Sequence, residues 1–216
     1  MHIYTYVYIS IGVGKSQLCR RLIEVLGGQV GAPTMRHIKV GALACTYALQ
    51  RDCSRDTERD CFILDSDAED ALLDELEEEQ AKGGCLLDYH ANGLFPKRWA
   101  HLVVVLSCDI RELRRRLEGR NYTASKVDEN VQAEIMEVVA DEALESYDNS
   151  IVWRLRNDST EDLDANCLRL AAWLSNRSNP QRHSAVLAPH EGAQHRQAEG
   201  SDSGAGGGSV KVDRGA

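Results

Sequence analysis

Apolar residues recur along the 216-residue chain at two alternating periods. Ile3, Thr5, Val7 and Ile9 alternate with Tyr4, Tyr6 and Tyr8, the period-two pattern of a strand. Leu18, Leu22 and Val25 then recur at helical spacing, and Gly27-Gly28 supplies a stop. Met35 to Val40 reads as a short strand, and a polar, cysteine-bearing stretch follows from Gly41 to Asp60. Leu72, Leu73 and Leu76 mark a helix over Asp67 to Gln80, with Glu77-Glu78-Glu79 outward and Gly83-Gly84 at its end. Cys85-Leu86-Leu87 is a short apolar strand closed by Asp88, and Leu102 to Leu106 is the clearest buried strand. The next helix is basic, and its Arg111, Arg114, Arg115 and Arg116 are expected on a solvated face. Gly119 to Asp128 reads as a loop, and Val131, Ile135, Val138 and Val139 as one amphipathic helix. Ile151-Val152-Trp153 opens a last strand. Leu163, Cys167, Leu170 and Leu174 share a face of a last helix that Asp158 or Ser159 caps.

Strands alternating with helices predict an α/β fold, a parallel sheet flanked by helices. Residues 1–176 are expected to form one domain. Beyond Arg177 the periodicity stops, and Gly204-Ala205-Gly206-Gly207-Gly208-Ser209 is low complexity. Residues 177–216 are therefore expected to be a disordered tail.

The net charge of −9 argues against broad nonspecific nucleic-acid binding, which needs a basic footprint. A basic protein or a specific RNA is compatible with it. The seven cysteines are scattered and contain no C-x-x-C pair, so buried reduced thiols are expected rather than a zinc site or disulfides. The even spacing of Cys45, Cys53 and Cys61 is read as coincidence. No stretch reaches membrane-spanning length, and the N-terminus lacks the pattern of a secretory signal. The expected setting is nucleus and cytoplasm, with no membrane partner, and the expected state is a monomer.

Candidate chemistry begins at Gly12-Val13-Gly14-Lys15-Ser16. A phosphate-binding loop reads G-x-x-x-x-G-K-[ST] between a strand and a helix. Gly14, Lys15 and Ser16 fill the last three fixed positions, whereas Ile9 stands where the first glycine belongs. In such a loop backbone N–H groups curl around phosphate at the positive end of the helix. Lys15 would hold the β- and γ-phosphates of ATP, and Ser16 would ligate Mg²⁺. Two features count against this: Ile9 itself, and three tyrosines on one face of a strand that should be aliphatic on both. Asp88, closing its strand, is a second Mg²⁺ candidate beside the plain reading of a strand-end cap. His90, two residues on, is a candidate water- or phosphate-positioning group, with a structural histidine as the alternative. Arg120 and Lys126 are candidate lid cations over a transferring phosphoryl, against a solvated basic turn.

Together, Asp88-Tyr89-His90, Phe95-Pro96-x-Arg98-Trp99, the strand from Leu102 to Leu106, Arg120-Asn121-Tyr122, Lys126, Asn130, Glu134-Ile135 and Glu145-Ser146-Tyr147 resemble the adenylate kinase isoenzyme 6 family. Asp60-Cys61-x-Ile63-Leu64-Asp65 extends the likeness, which runs from about Gly12 to Ser175. The resemblance implies a Rossmann-like P-loop NTPase core. It also implies a small insertion binding nucleoside monophosphate (NMP) at about 39–64 and a short lid at about 119–129. The implied activity is phosphoryl transfer from ATP to AMP or another NMP, with ATP hydrolysis, using ATP and Mg²⁺. The implied role is late small-subunit (18S rRNA) maturation, with a platform ribosomal protein and the pre-ribosome as partners. By the same likeness, Gly12, Gly14, Lys15, Ser16, Gln17 and Arg120 would bind ATP. Ser16 and Asp88 would serve the metal, and Lys15, Asp88, His90 and Arg120 would be catalytic. The loop from Asn157 to Ser159 would lie near the adenine.

Three departures from the family pattern stand out. Ile9 and Ile11 replace the loop's first glycine and its proline. Gly41-Ala42-Leu43-Ala44-Cys45 lacks the acid and the phosphate-binding cation usual at the monophosphate site. The tail is neither the short nor the acidic end of the family. Met1 to Ile11 leaves the family register, and His2 to Ile9 looks like a translated simple repeat. The expectation is that the natural start differs and carries a conventional strand and glycine. Three functional readings stay open: an active kinase, an assembly factor using ATP as a switch with little AMP chemistry, and a scaffold with a dead loop.

Overall fold

The computed structural model describes residues 4–9, 12–56, 61–89 and 94–178. His90 and Asp60 lie outside the described residues, as do Ser10, Ile11 and residues 179–216. The role of His90 and the tail assignment beyond Ser178 are thus untouched by the structure, whereas Arg177 and Ser178, expected in the tail, end the last helix.

Five strands form one parallel sheet: β1 (Tyr4–Ile9), β2 (Arg36–Lys39), β5 (Cys85–Tyr89), β6 (Val103–Ser107) and β7 (Val152–Arg156), in the order β2-β5-β1-β6-β7. Two further strands, β3 (Arg55–Asp56) and β4 (Cys61–Phe62), pair antiparallel as a separate ribbon. Seven helices among the described residues connect these strands: α1 (Lys15–Gly27), α2 (Val40–Gln50), α3 (Ser66–Ala81), α4 (Ile110–Glu118), α5 (Ala124–Ile135), α6 (Val138–Ser146) and α7 (Thr160–Ser178). The tyrosine-bearing strand is central, with β5 on one side and β6 on the other. The objection drawn from its composition therefore does not hold at the level of the backbone.

Strand alternation divides the interior into two cores. Val104 and Leu106 face one with Leu86, Leu18 and Leu22, while Val103 and Val105 face the other with Leu87, Leu72 and Leu76. A strand buried on both faces needs the near-continuous apolar run seen in its sequence. Each such side chain contributes about 1.5–3 kcal/mol by burial.

Four local expectations are corrected. The stretch from Gly41 to Asp60 is helical up to Gln50, because Val40, Ala44 and Ala48 make a buried stripe against α3. Alanines carry a weak hydrophobic signal, which hid this helix. Next, the loop from Gly119 to Asp128 ends at Thr123, whose hydroxyl accepts from the Lys126 N–H at 3.3 Å and starts α5. Lys126 is thus a first-turn helix residue, 5.8 Å from the Tyr122 ring centre. The single helix through Val131 and Val139 is in fact two, broken at Glu137 with φ 50°. Val127 and Val131 of α5 enter the first core, and Ala140 and Ala143 of α6 enter the second, so Ile135 and Val138 are left exposed at the crossover. Arg116 is not a solvated face residue, as shown below. The expected cap of α7 is Ser159: its hydroxyl accepts from Asp162 N–H, and the Asp162 carboxylate accepts from Ser159 N–H.

Among the described residues no helix is long and apolar enough to cross a membrane. Cys19, Cys85, Cys108 and Cys167 are buried free thiols. Burial pushes Cys108 up to about 11 and Cys167 up to about 12, so both stay protonated and inert.

Candidate active site

The loop after β1 turns through Gly12 and Gly14, with φ of 99° and 103°. Both values lie where only glycine is unstrained. Gly14 is the N-cap of α1, and no side chain caps that end. The first N–H groups of α1 therefore remain available to an anion, with the helix dipole behind them. Gly12, Gly14 and Gln17 line a cleft of about 270 Å³ with Arg115, Arg116, Gly119 and Arg120. Of the sequence-predicted nucleotide residues, Gly12, Gly14, Gln17 and Arg120 thus meet at one place.

Asn157 holds this loop from behind. It is 3% exposed, and its Nδ2 donates to the Val13 carbonyl at 2.7 Å. Its own N–H donates to the Ser107 carbonyl at the end of β6. A Cβ on Gly14 would lie 2.5 Å from that Nδ2, so the clamp and the glycine require each other. Arg116 fixes the segment in turn, donating to the carbonyls of Asn157 (2.9 Å) and Asp158 (2.6 Å). Glu112, four residues earlier on α4, accepts from Arg116 and from Arg115, and these bonds hold its carboxyl down to about 2. The tether of Arg116 to residues 41 and 42 positions away is not legible in the sequence, where that arginine is expected on a solvated face.

The metal candidates are also brought together. Ser16 Oγ donates to Asp88 Oδ2 at 2.5 Å. His37 Nε2 lies 3.1 Å from the same oxygen, a partner the sequence did not disclose. Burial disfavours the Asp88 charge, but the bonds from His37 and Ser16 and the nearby Lys15 outweigh it, so its pKa lies below the ordinary carboxylate value. Lys15 is lowered by burial, with Arg120 adding to the shift and Asp88 opposing it. A hydroxyl and a carboxylate in contact are hard oxygen donors, the set Mg²⁺ takes while keeping waters and substrate phosphates. The residues present thus fit that ion. Among the described residues no cluster of three His, Cys, Asp or Glu suits a metal held by protein alone.

A second cleft, of about 420 Å³, opens at the carboxyl end of β2. His37, Lys39, Ala42, Thr46, Glu75 and Glu79 are among its lining residues. Cys45 is exposed on α2 and is not one of them. Glu75 accepts from Tyr47 at 2.6 Å, and Glu79 is paired with Arg36 and Lys82. Lys39 is exposed and has no ion pair among the described residues. Ligands in open α/β sheets bind beyond the carboxyl ends of the strands, and both clefts lie there.

Comparison with known proteins agrees with this geometry. The AAA domain family profile matches residues 10–137. The adenylate kinase isoenzyme 6 homolog HBR1 of Candida albicans is 41% identical over 165 residues, 76% of this chain and 65% of that protein. The chain spans just under two thirds of that relative and of the Saccharomyces cerevisiae homolog FAP7. The Caenorhabditis elegans adenylate kinase isoenzyme 6 homolog is 37% identical, over 74% of this chain and 83% of its own length. The crystal structure of shikimate kinase from Bacteroides thetaiotaomicron superposes with a TM-score of 0.51 at 14% identity, covering 81% of this chain and 99% of the kinase, a likeness of fold. The fold is that of the P-loop kinases, and the chain belongs to the adenylate kinase isoenzyme 6 family.

Proposed function

We propose that this chain is an ATP-dependent nucleoside-monophosphate kinase, with AMP as acceptor, that also hydrolyses ATP. The observation that carries the reading is the contact of Ser16 with Asp88 beside Lys15, set between two clefts at the same sheet edge. ATP phosphates occupy the cleft of Gly12, Gly14 and Gln17, cradled by backbone N–H groups. Lys15 binds the β- and γ-phosphates, and Arg120 closes over the transferring group. Ser16 and Asp88 would hold Mg²⁺, which when bound would supply charge neutralisation at the phosphates. The monophosphate enters the second cleft, where Lys39 provides the cation that Cys45 does not. Its phosphate oxygen attacks the γ-phosphorus in line, and the bond to the β–γ bridging oxygen breaks.

The test measures ADP formation from ATP with and without AMP, against a Lys15→Ala control. Expected is AMP-stimulated turnover that the control loses by about a thousandfold, the scale of a cationic phosphoryl contact. Turnover unaffected by AMP would favour a second reading, an ATP switch with little monophosphate chemistry. Ala42 and Cys45 in place of acid and cation support that alternative.

The cellular reading is part of the same proposal. The chain acts in small-subunit 18S rRNA maturation, in nucleus and cytoplasm, with a platform ribosomal protein and the pre-ribosome as partners. The acidic net charge suits a basic ribosomal protein. A pull-down from nuclear extract that recovers no small-subunit component would refute it.

A further inference from the structure

His37 is used by none of the steps above, yet it is the side chain placed between the two clefts. It lines the second cleft, and its Nε2 lies 3.1 Å from Asp88 Oδ2, the oxygen that Ser16 also contacts. The two side chains are 10% and 5% exposed. The backbone explains the meeting. β2 and β5 are parallel, with His37 opposite Leu86 and Lys39 opposite Asp88. Side chains at alternate positions share a face, so His37 reaches diagonally across one register step to the carboxylate.

We propose that His37 is a positioning residue for the metal-binding carboxylate. Donating Nε2–H to Asp88 Oδ2, it fixes the rotamer of Asp88 in a partly dry site. A carboxylate held by a fixed donor is ready to receive Mg²⁺ and its waters; a free one must be ordered on binding. Outer partners of this kind typically change metal affinity by about 10–100-fold when removed. The proposal rests on the reading that Asp88 serves Mg²⁺.

The experiment measures ATP affinity by calorimetry, once with Mg²⁺ and once with EDTA, and takes the ratio as the Mg²⁺-dependent tightening. Four variants are compared with the parent chain: His37→Phe, which keeps ring volume and loses the donor, His37→Gln, which keeps a donor, Asp88→Asn, and the His37→Phe/Asp88→Asn double variant. Expected is a roughly tenfold loss of the ratio in His37→Phe with EDTA affinity unchanged. His37→Gln should recover most of it, and the double variant should be no worse than Asp88→Asn alone. An unchanged ratio in His37→Phe while Asp88→Asn loses it would overturn the role of His37 and leave that of Asp88 intact. An unchanged ratio in Asp88→Asn would overturn the underlying assignment. A loss in His37→Phe that is equal with Mg²⁺ and with EDTA, and tracks a fall in melting temperature, would reduce His37 to a packing residue.

Discussion

The two clefts are built in opposite ways. The first is made of backbone locked from behind: Asn157 bonds the Val13 carbonyl, Arg116 bonds the carbonyls beside Asn157, and Glu112 bonds Arg116. Each partner is buried or half-buried. The second is made of side chains on β2 and one face of α2, with Lys39 and Thr46 exposed. Two acidic members from α3, Glu75 and Glu79, are tied to Tyr47 and Arg36. The difference teaches where substitution is tolerated. A phosphate cradle depends on φ angles and close approach, so almost any change within it costs affinity. A side-chain site can carry its charge at one position or another without disturbing the backbone: Lys39 lines this cleft, whereas Cys45 does not.

That contrast is broken most severely at Gly14. Gly14→Ala imposes an unfavourable φ and drives a methyl into Asn157 Nδ2, and its expected cost is roughly 3 kcal/mol, about a hundredfold in ATP affinity. Calorimetry against the parent chain checks it, and parental affinity would mean that the loop relaxes freely. In the second cleft, Lys39→Ala should raise KM for AMP about tenfold through loss of one charged contact, with AMP-independent ATP hydrolysis unchanged. Steady-state kinetics with each substrate varied in turn would expose any equal effect on both, which would place Lys39 in the donor site instead. Asn157→Ala removes one buried bond to the loop and should lower stability by about 1 kcal/mol, read as a drop in the urea midpoint, with a several-fold loss of ATP affinity.

The smallest effect is set by Glu112. Its folded pKa is depressed to about 2 from an ordinary 4.5, so its contribution is complete above 4.5 and is lost as pH falls toward 2. Glu112→Gln should therefore flatten the acid limb of the stability profile between those values, by under about 1 kcal/mol for this partly solvated pair, and change little at neutral pH beyond a slight loss. Urea titrations at a series of acidic pH values show whether the slope difference exists.

Much of this molecule is readable one segment at a time. The run from Leu102 to Leu106 gave β6, the leucines of α1 and α3 gave their faces, and Gly14-Lys15-Ser16 with Asp88 gave the phosphate and metal candidates. Periodicity and turn chemistry are local, and these residues satisfy their local rules. The misreadings share a cause. α2 buries alanines, whose pattern is faint; the break at Glu137 exists because two halves of one apolar run serve opposite faces of the sheet. Periodicity within one segment does not say which face of the sheet that segment will cover.

The sequence by itself determined the alternation of strands and helices, the candidate phosphate loop and the family of the chain. The tertiary structure alone decided that His37 meets Asp88, that Asn157 clamps the loop 144 positions away, and that Arg116 faces inward. The physical reason is the parallel sheet. Its strands are neighbours in space through long crossovers, so contacts at their carboxyl ends join residues that no local period relates.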